Sequence, residues 1–398
     1  MPKGSEEPSY TRKYEITFSE VKNCQVHNSG KVCMKEKIMQ FIKGDIVLTV
    51  SFCLAVCSCV LVPPSSRYLD YIDFRTLILL FCLMLIIGGL RELNFFQFVG
   101  NWILDHAKTR RGIVATLVFL CFFSSMFITN DVALITFVPF GIMILRSAGM
   151  AFNTCQVVVL MTIAANLGSM FTPIGNPQNL YLFSLSGFTI GEFLLLMLPY
   201  TAVSAILLLL FVLIGGYKKK FTICIEAPEV SRKGVIGCYL FLFLFCLFTV
   251  GGILPPWILL VLVSLGILLT DRRLFLKIDY SLLLTFFFLF IFVGNINEFE
   301  TLRQMILAVF TGHERLVAIG TSQIISNVPA AMLLSGYTDN IKALIVGTNI
   351  GGLGTLIASM ASLISYRQIA SVYPDFRKRY LLAFTFYNLI FLAVLCLI

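Results

Sequence analysis

From residue 45 onward the chain alternates long apolar runs with short charged turns, and many windows reach the roughly 18–20 apolar residues that cross a bilayer core. The pattern predicts helical spans at 45–62, stopped by Pro63-Pro64, and at 74–90. Residues 92–108 set Leu93, Phe96, Val99, Ile103 and Leu104 beside Glu92, Asn94, Asp105, His106 and Lys108, which predicts a helix lying in the membrane interface. Residues 112–147 hold two apolar runs split at Thr129-Asn130-Asp131, with basic residues at both ends. A re-entrant hairpin with its tip inside the membrane accounts for both the short turn and the flanking charges. A span over 154–181, broken near Gly168 to Pro177, and a span over 190–215 follow.

The same order then returns. After a charged linker at 217–234 and an additional span at 235–252 come spans at 256–270 and 279–296 and an interfacial segment at 298–312. A hairpin at 313–336 split at Ser326-Asn327-Val328, a broken span at 340–364 and a final span at 377–398 end the chain. The register is direct: Ile72-Asp73-Phe74-Arg75 pairs with Ile278-Asp279-Tyr280-Ser281. Asn166-Leu167-Gly168, with Thr172 and Gly175, pairs with Asn349-Ile350-Gly351, with Thr355 and Ala358. The additional span reverses the second half, so the expectation is an all-α polytopic membrane protein of inverted repeats. It has about ten transmembrane helices plus two re-entrant hairpins, one entering from the cytoplasm and one from outside. The regions are a tail (1–43), a first repeat (44–216), the linker (217–234) and a second repeat (235–398).

Composition agrees: 58% of the 398 residues are hydrophobic and 13% charged, which excludes a soluble class. The net charge of +9 concerns orientation. All but Arg67, Arg75, Arg303, Arg315 and Lys342 of the 30 basic residues fall in the tail or in loops on one side. By the positive-inside rule that side is cytoplasmic, so no nucleic-acid partner is implied. The N-terminus is expected inside and the C-terminus outside, in the cytoplasmic membrane. The tail is too long and polar for a cleaved signal peptide. Cys53, Cys57, Cys59, Cys82, Cys121, Cys155, Cys238, Cys246 and Cys396 lie in apolar runs and read as small buried hydrophobes. Cys24, His27 and Cys33 are spaced too irregularly for a resident metal site.

Helices that start in mid-membrane leave N–H groups unpaired and a partial positive charge, and so bind anions without a buried Lys or Arg. Half-helix C-termini and unwound carbonyls bind Na⁺ in the same manner. The candidate site comprises Thr129, Asn130, Asp131, Gly168, Thr172, Gly175, Asn176, Gln178, Asn179, Ser326, Asn327, Asn349, Gly351 and Thr355. Asp131 is the acid placed deep in the bilayer, either as a coupling site for H⁺ or Na⁺ or as an N-cap for the helix after it. Its counterpart is Val328, so an ionisable role belongs to the first half. The Asn residues at the tips suit turns, and the glycines suit helix packing as well as unwinding. Thr172-Pro173-Ile174-Gly175-Asn176-Pro177-Gln178-Asn179 puts two prolines and several polar side chains inside an apolar span, which is costly with no cavity to face.

Phe127 to Leu134 and Asn166 to Asn179, with Ser326-Asn327-Val328-Pro329 and Gly347 to Gly352, resemble the arsenite-permease and NhaD-type Na⁺/H⁺ antiporter branch of the citrate-transporter-like superfamily. The resemblance covers roughly residues 44–398. It implies an elevator-type carrier, often a homodimer, whose hairpin tips and broken helices enclose the substrate and the coupling ions. Related dicarboxylate carriers have Ser-Asn-Thr at both tips; here the tips read Thr129-Asn130-Asp131 and Ser326-Asn327-Val328. The substrate class implied is a small inorganic or organic anion, with no cofactor beyond Na⁺ or H⁺. A soluble ATPase partner follows only for an arsenite pump, since the chain has no GxxxxGK[ST] loop of its own.

The leading expectation is an ion-coupled secondary transporter. A Na⁺/H⁺ antiporter without an organic substrate, a passive channel and a membrane-embedded enzyme are the alternatives. The chain's only histidines, His27, His106 and His313, lie outside the expected spans, which disfavours the enzyme. A C-terminal reporter active only in the cytoplasm should be silent, and a strong signal from it would overturn the orientation.

Overall fold

A computed structural model describes residues 46–104, 107, 109–215, 232–300, 304, 307, 310 and 312–398. The tail with Cys24, His27 and Cys33, the linker up to residue 231 and most of 301–311 lie outside the described residues. The chain divides into Met1–Thr49, of which the first residues of α1 are described, and Val50–Ile398, which holds everything that follows.

The described residues form seventeen α-helices and no strand. The first nine are α1 (Ile46–Leu61), α2 (Tyr68–Tyr71), α3 (Phe74–Glu92), α4 (Phe95–Leu104), α5 (Arg110–Ile128), α6 (Asn130–Ser147), α7 (Thr154–Ser169), α8 (Pro177–Ser186) and α9 (Ile190–Ile214). The rest are α10 (Lys233–Val250), α11 (Pro256–Asp271), α12 (Tyr280–Asn297), α13 (Glu314–Ile325), α14 (Asn327–Ser335), α15 (Ile341–Ile350), α16 (Met360–Val372) and α17 (Arg377–Cys396). Eight helices are long and apolar enough to cross a bilayer: α3, α5, α6, α7, α9, α10, α12 and α17. Their outward faces remain apolar. Ile206 is 58% exposed and Phe386 61%, an arrangement suited to lipid and costly in water.

Local chemistry sets the helix starts. Asp73 caps α3 by accepting the Thr76 N–H, and Asp279 caps α12 by accepting that of Leu282. Thr189 and Glu192 form a reciprocal capping box at α9. Pro177 and Pro256 open α8 and α11, where a missing N–H costs nothing.

The split pairs recur with the same internal contacts. In one, α5 packs on α7; in the other, α13 packs on α15. Gly168 permits the first approach: a Cβ there would lie 1.9 Å from the Phe122 carbonyl oxygen and 2.6 Å from Ser125 Oγ. Gly347 and Gly351 permit the second, where added Cβ atoms would meet the Arg315 oxygen and Ser322 Oγ at 2.7 Å each. Arg111 Nη2 donates to the Leu213 carbonyl at the end of α9, and Arg315 Nη2 to the Leu395 carbonyl at the end of α17. Each first hairpin helix thus begins with an arginine that closes the last helix of its set.

The two hairpins differ in length. Helices α5 and α6 have 19 and 18 residues, and α13 and α14 have 12 and 9. At about 1.5 Å per residue the first pair comes within a few ångströms of a core of about 30 Å while the second falls far short, so length alone forces only the second to turn back. The interfacial segment buries Phe96 and Leu104 of the expected apolar face and exposes Glu92 and Asn94, with Ile103 the exception. Helix α4 buries Phe96, Gly100, Asn101 and Leu104, while Phe98, Trp102 and Ile103 face outward. A helix edged by lipid gains nothing from turning its apolar residues inward.

Gly168→Ala should lower thermal stability by roughly 1–3 kcal/mol through overpacking. Gly320→Ala, which meets nothing within 4 Å, should be neutral or slightly stabilising. Fluorescence melts of the detergent-solubilised protein compare them.

Candidate functional site

The two hairpin tips have the same backbone. Thr129 stands at φ 66°, ψ 151° and Ser326 at φ 76°, ψ 155°, a region that non-glycine residues enter at a cost of about 1–3 kcal/mol. One strained residue turns each chain sharply enough that the next helix starts at once, at Asn130 or Asn327. Neither Thr129 nor Ser326 makes a side-chain cap, so the first N–H groups of α6 and α14 are left to other partners.

Asn130 Nδ2 donates to Asn166 Oδ1 at 2.9 Å, and Asn130 Oδ1 accepts the Asp131 N–H at 2.9 Å. At the second tip the Asn327 N–H donates to the Ala358 carbonyl at 3.0 Å, and Ser326 Oγ reaches the same oxygen at 3.4 Å. Asp131 lies in the first turn of α6 and is not its N-cap. Its Oδ1 is buried with no hydrogen-bond partner among the described residues.

The broken spans are tied to one another by a reciprocal exchange. Asn166, near the end of α7, accepts from Ser359 Oγ at 2.9 Å and donates to Ser362 Oγ at 3.4 Å. Asn349, near the end of α15, accepts from Asn176 Nδ2 at 3.4 Å and donates to Asn179 Oδ1 at 2.6 Å. Ser359 and Ser362 hold the places in the second half that Asn176 and Asn179 hold in the first. Each half's break is therefore completed by the other half, with the same sense of donation. All six side chains are buried.

Threonines tie each break to its own hairpin. Thr172 Oγ1 donates to the Met126 carbonyl, and Thr355 Oγ1 to the Gln323 carbonyl at 3.1 Å. The unwound carbonyls are served differently in the two halves. Gln323 Nε2 donates to the Gly351 and Leu353 carbonyls at 2.8 and 2.9 Å, and its Oε1 accepts the Thr355 N–H. Gly354, at φ 106°, leaves room for that amide, since a Cβ there would lie 2.3 Å from it. The matching position in the first half is Met126, which has no amide, and Asn179 Nδ2 reaches the Ser169, Met170 and Thr172 carbonyls at 3.2–3.4 Å instead. Gly175 faces the Ser169 carbonyl with no room for a Cβ.

The sequence-predicted residues thus gather around two tips and two breaks, in differing roles. Thr172, Asn179 and Thr355 spend their polar groups on holding the breaks, and Gly168, Gly175 and Gly351 supply close approach. Besides Asp131, buried Asn176 and Gln178 keep polar atoms with no partner among the described residues: Oδ1 of the first and Nε2 of the second. Sequence reading missed Ser359, Ser362 and Gln323 as parts of the site and used Asn166 only to mark a break. The repeat register was the available signal, because it places Ser359 and Ser362 opposite Asn176 and Asn179. Among the described residues no group of three His, Cys, Asp or Glu side chains comes together.

Asn349→Ala should be markedly less stable than Ser362→Ala. It strands the buried amides of Asn176 and Asn179, at roughly 1–3 kcal/mol for each group left unsatisfied, whereas Ser362 gives up one long bond. Thermal melts of the two variants in the same detergent check the order.

Residues 37–342 match the family model described as citrate transporter. The chain is 36% identical over 299 residues to an uncharacterized transporter of Methanocaldococcus jannaschii, covering 74% of this chain and 81% of that one. It is 33% identical over 301 residues to the inner membrane protein YbiR of Escherichia coli, covering 74% and 80%. A 46 kDa membrane protein of Mycobacterium leprae is 25% identical over 338 residues, covering 74% and 78%. With the helical membrane architecture and the family model spanning most of its length, the chain belongs to the citrate transporter family of membrane transporters.

Proposed function

We propose that the chain is an ion-coupled secondary transporter that moves a small anion across the cytoplasmic membrane by elevator-type alternating access. The observation that carries this reading is the reciprocal bonding of Asn166 with Ser359 and Ser362, and of Asn349 with Asn176 and Asn179. It joins the ends of four half-helices, and the Asn130 side chain and the Asn327 N–H tie the two hairpin tips to the same breaks, with no buried Lys or Arg among the described residues. Helix N-termini there suit an anion, and unwound carbonyls with Asp131 suit a coupling cation, Na⁺ or H⁺. The anion class is citrate- or dicarboxylate-like, or an arsenite-like oxyanion. The acid at the first tip favours the arsenite-permease and NhaD-type branch over carriers with a hydroxyl there.

In this reading the two sets of helices are inverted repeats, and the working unit is a homodimer. Counting each of α7/α8 and α15/α16 as one crossing, with α1, α3, α9, α10, α11, α12 and α17, gives an odd number. An odd number is what a cytoplasmic N-terminus and an outside C-terminus require. A Na⁺/H⁺ antiporter without an organic substrate is the second reading, favoured by the unpartnered Oδ1 of Asp131.

Proteoliposomes under imposed Na⁺ and pH gradients test both readings, with citrate, succinate, sulfate and arsenite compared. Gradient-driven uptake of at least one of these anions is expected, and gradient-driven cation exchange with none of them supports the antiporter. Solute movement indifferent to both gradients overturns both. Asp131→Asn should reduce coupled transport to background while leaving the melting temperature close to that of the wild type, because the amide keeps the side chain's shape.

A further inference from the structure

Away from the tips, a shallow cleft open to the surface lies between the last turns of α3 and the 3₁₀ turn that joins α11 to α12. Met84, Leu85, Leu274 and Ile278 make an apolar wall, and Arg91, Glu92 and Lys277 stand at its rim. The Phe81 and Phe275 rings, 6.3 Å apart, join the same two elements nearby. Gly88 lines the cleft, and a Cβ built on it would meet nothing within 4 Å, so the space beside it is open.

The charges are unequally spent. Lys277 Nζ pairs with Glu92 Oε2 at 2.6 Å, while the Arg91 guanidinium has no acidic partner among the described residues. The cleft therefore carries one uncompensated cation above an apolar wall. Arg91 also sits in the last turn of a helix long enough to cross the bilayer, which puts it at the depth of the lipid headgroups. A soluble metabolite would use the cation but waste the wall, and a neutral lipid would do the reverse. Only an amphiphile with a negative head uses both.

We propose that this cleft is a binding site for an anionic phospholipid, with the phosphate on Arg91 and the first part of an acyl chain along Met84, Leu85 and the open face of Gly88. The site bridges α3 and the turn before α12, so a bound lipid braces the two helices that correspond in the two halves. A basic pocket between membrane helices on the cytoplasmic side is the setting in which headgroup recognition occurs. The assignment does not depend on what the tips transport.

The test is lipid retention and thermal stability of the purified full chain, supplied with phosphatidylglycerol, phosphatidylcholine or inorganic phosphate. Phosphatidylglycerol should be retained in native mass spectra and should raise the melting temperature, and phosphatidylcholine and free phosphate should not. Arg91→Gln should weaken phosphatidylglycerol retention about five-fold, the factor carried by one basic side chain at a membrane surface. Gly88→Leu, which fills the cleft without touching the charge, should block retention as well. Equal retention of the two lipids, the same stabilisation by free phosphate, or retention unchanged in both variants overturns the proposal. Should either variant fold poorly, the lipid comparison on the unaltered protein still decides.

Discussion

A backbone that stops being helical inside hydrocarbon must find partners for its freed N–H and C=O groups, and the structure is arranged around that demand. Four helices here end or begin at a break. Their unwound carbonyls are served from within each set, by Asn179 in the first and by Gln323 in the second. The polar side chains at the breaks are then satisfied by exchange: Asn166 takes up Ser359 and Ser362, and Asn349 takes up Asn176 and Asn179. Neither break is complete without the opposite half. These side-chain bonds hold the two halves together.

Each set then closes the rest locally. Glycines let the hairpin helix approach the broken one, a threonine on the unwound stretch ties it to the hairpin carbonyl, and an arginine at the start of the hairpin closes the final helix. The strained residues Thr129 and Ser326 fit this economy. A sharp turn at a single residue exposes less unpaired backbone than a longer loop, and the local strain costs less than several unsatisfied amides.

Against the shared frame, the differences between the halves carry chemical meaning. Gln323 saturates the unwound carbonyls of the second break, and Met126 leaves those of the first to the longer bonds of Asn179. Asp131 stands at the first tip where the second has Val328, and Asn176 and Gln178 keep unused polar atoms. The second tip and break are the more self-contained of the two pairs. The first tip and break keep polar atoms without a partner among the described residues.

The sequence by itself determined the helical membrane class, the places of the two tips and two breaks, and their register, because polar and turn-forming residues in apolar runs stand out against a uniform background. It also determined that Asp131 has no counterpart, which is a matter of alignment. It did not reveal which polar residues are spent and which are free. Thr172, Asn179 and Thr355 look as available in the chain as Gln178 does, yet they are consumed by carbonyls that only folding brings near. Ser359 and Ser362 look ordinary until Asn166 arrives from the other half. Nor did the pattern show that α4 turns Phe98 and Trp102 outward, since a periodic face does not say which solvent it meets. Hydrophobic pattern is local and survives in one dimension; satisfaction of polar groups is a long-range pairing, and only the tertiary structure decides it.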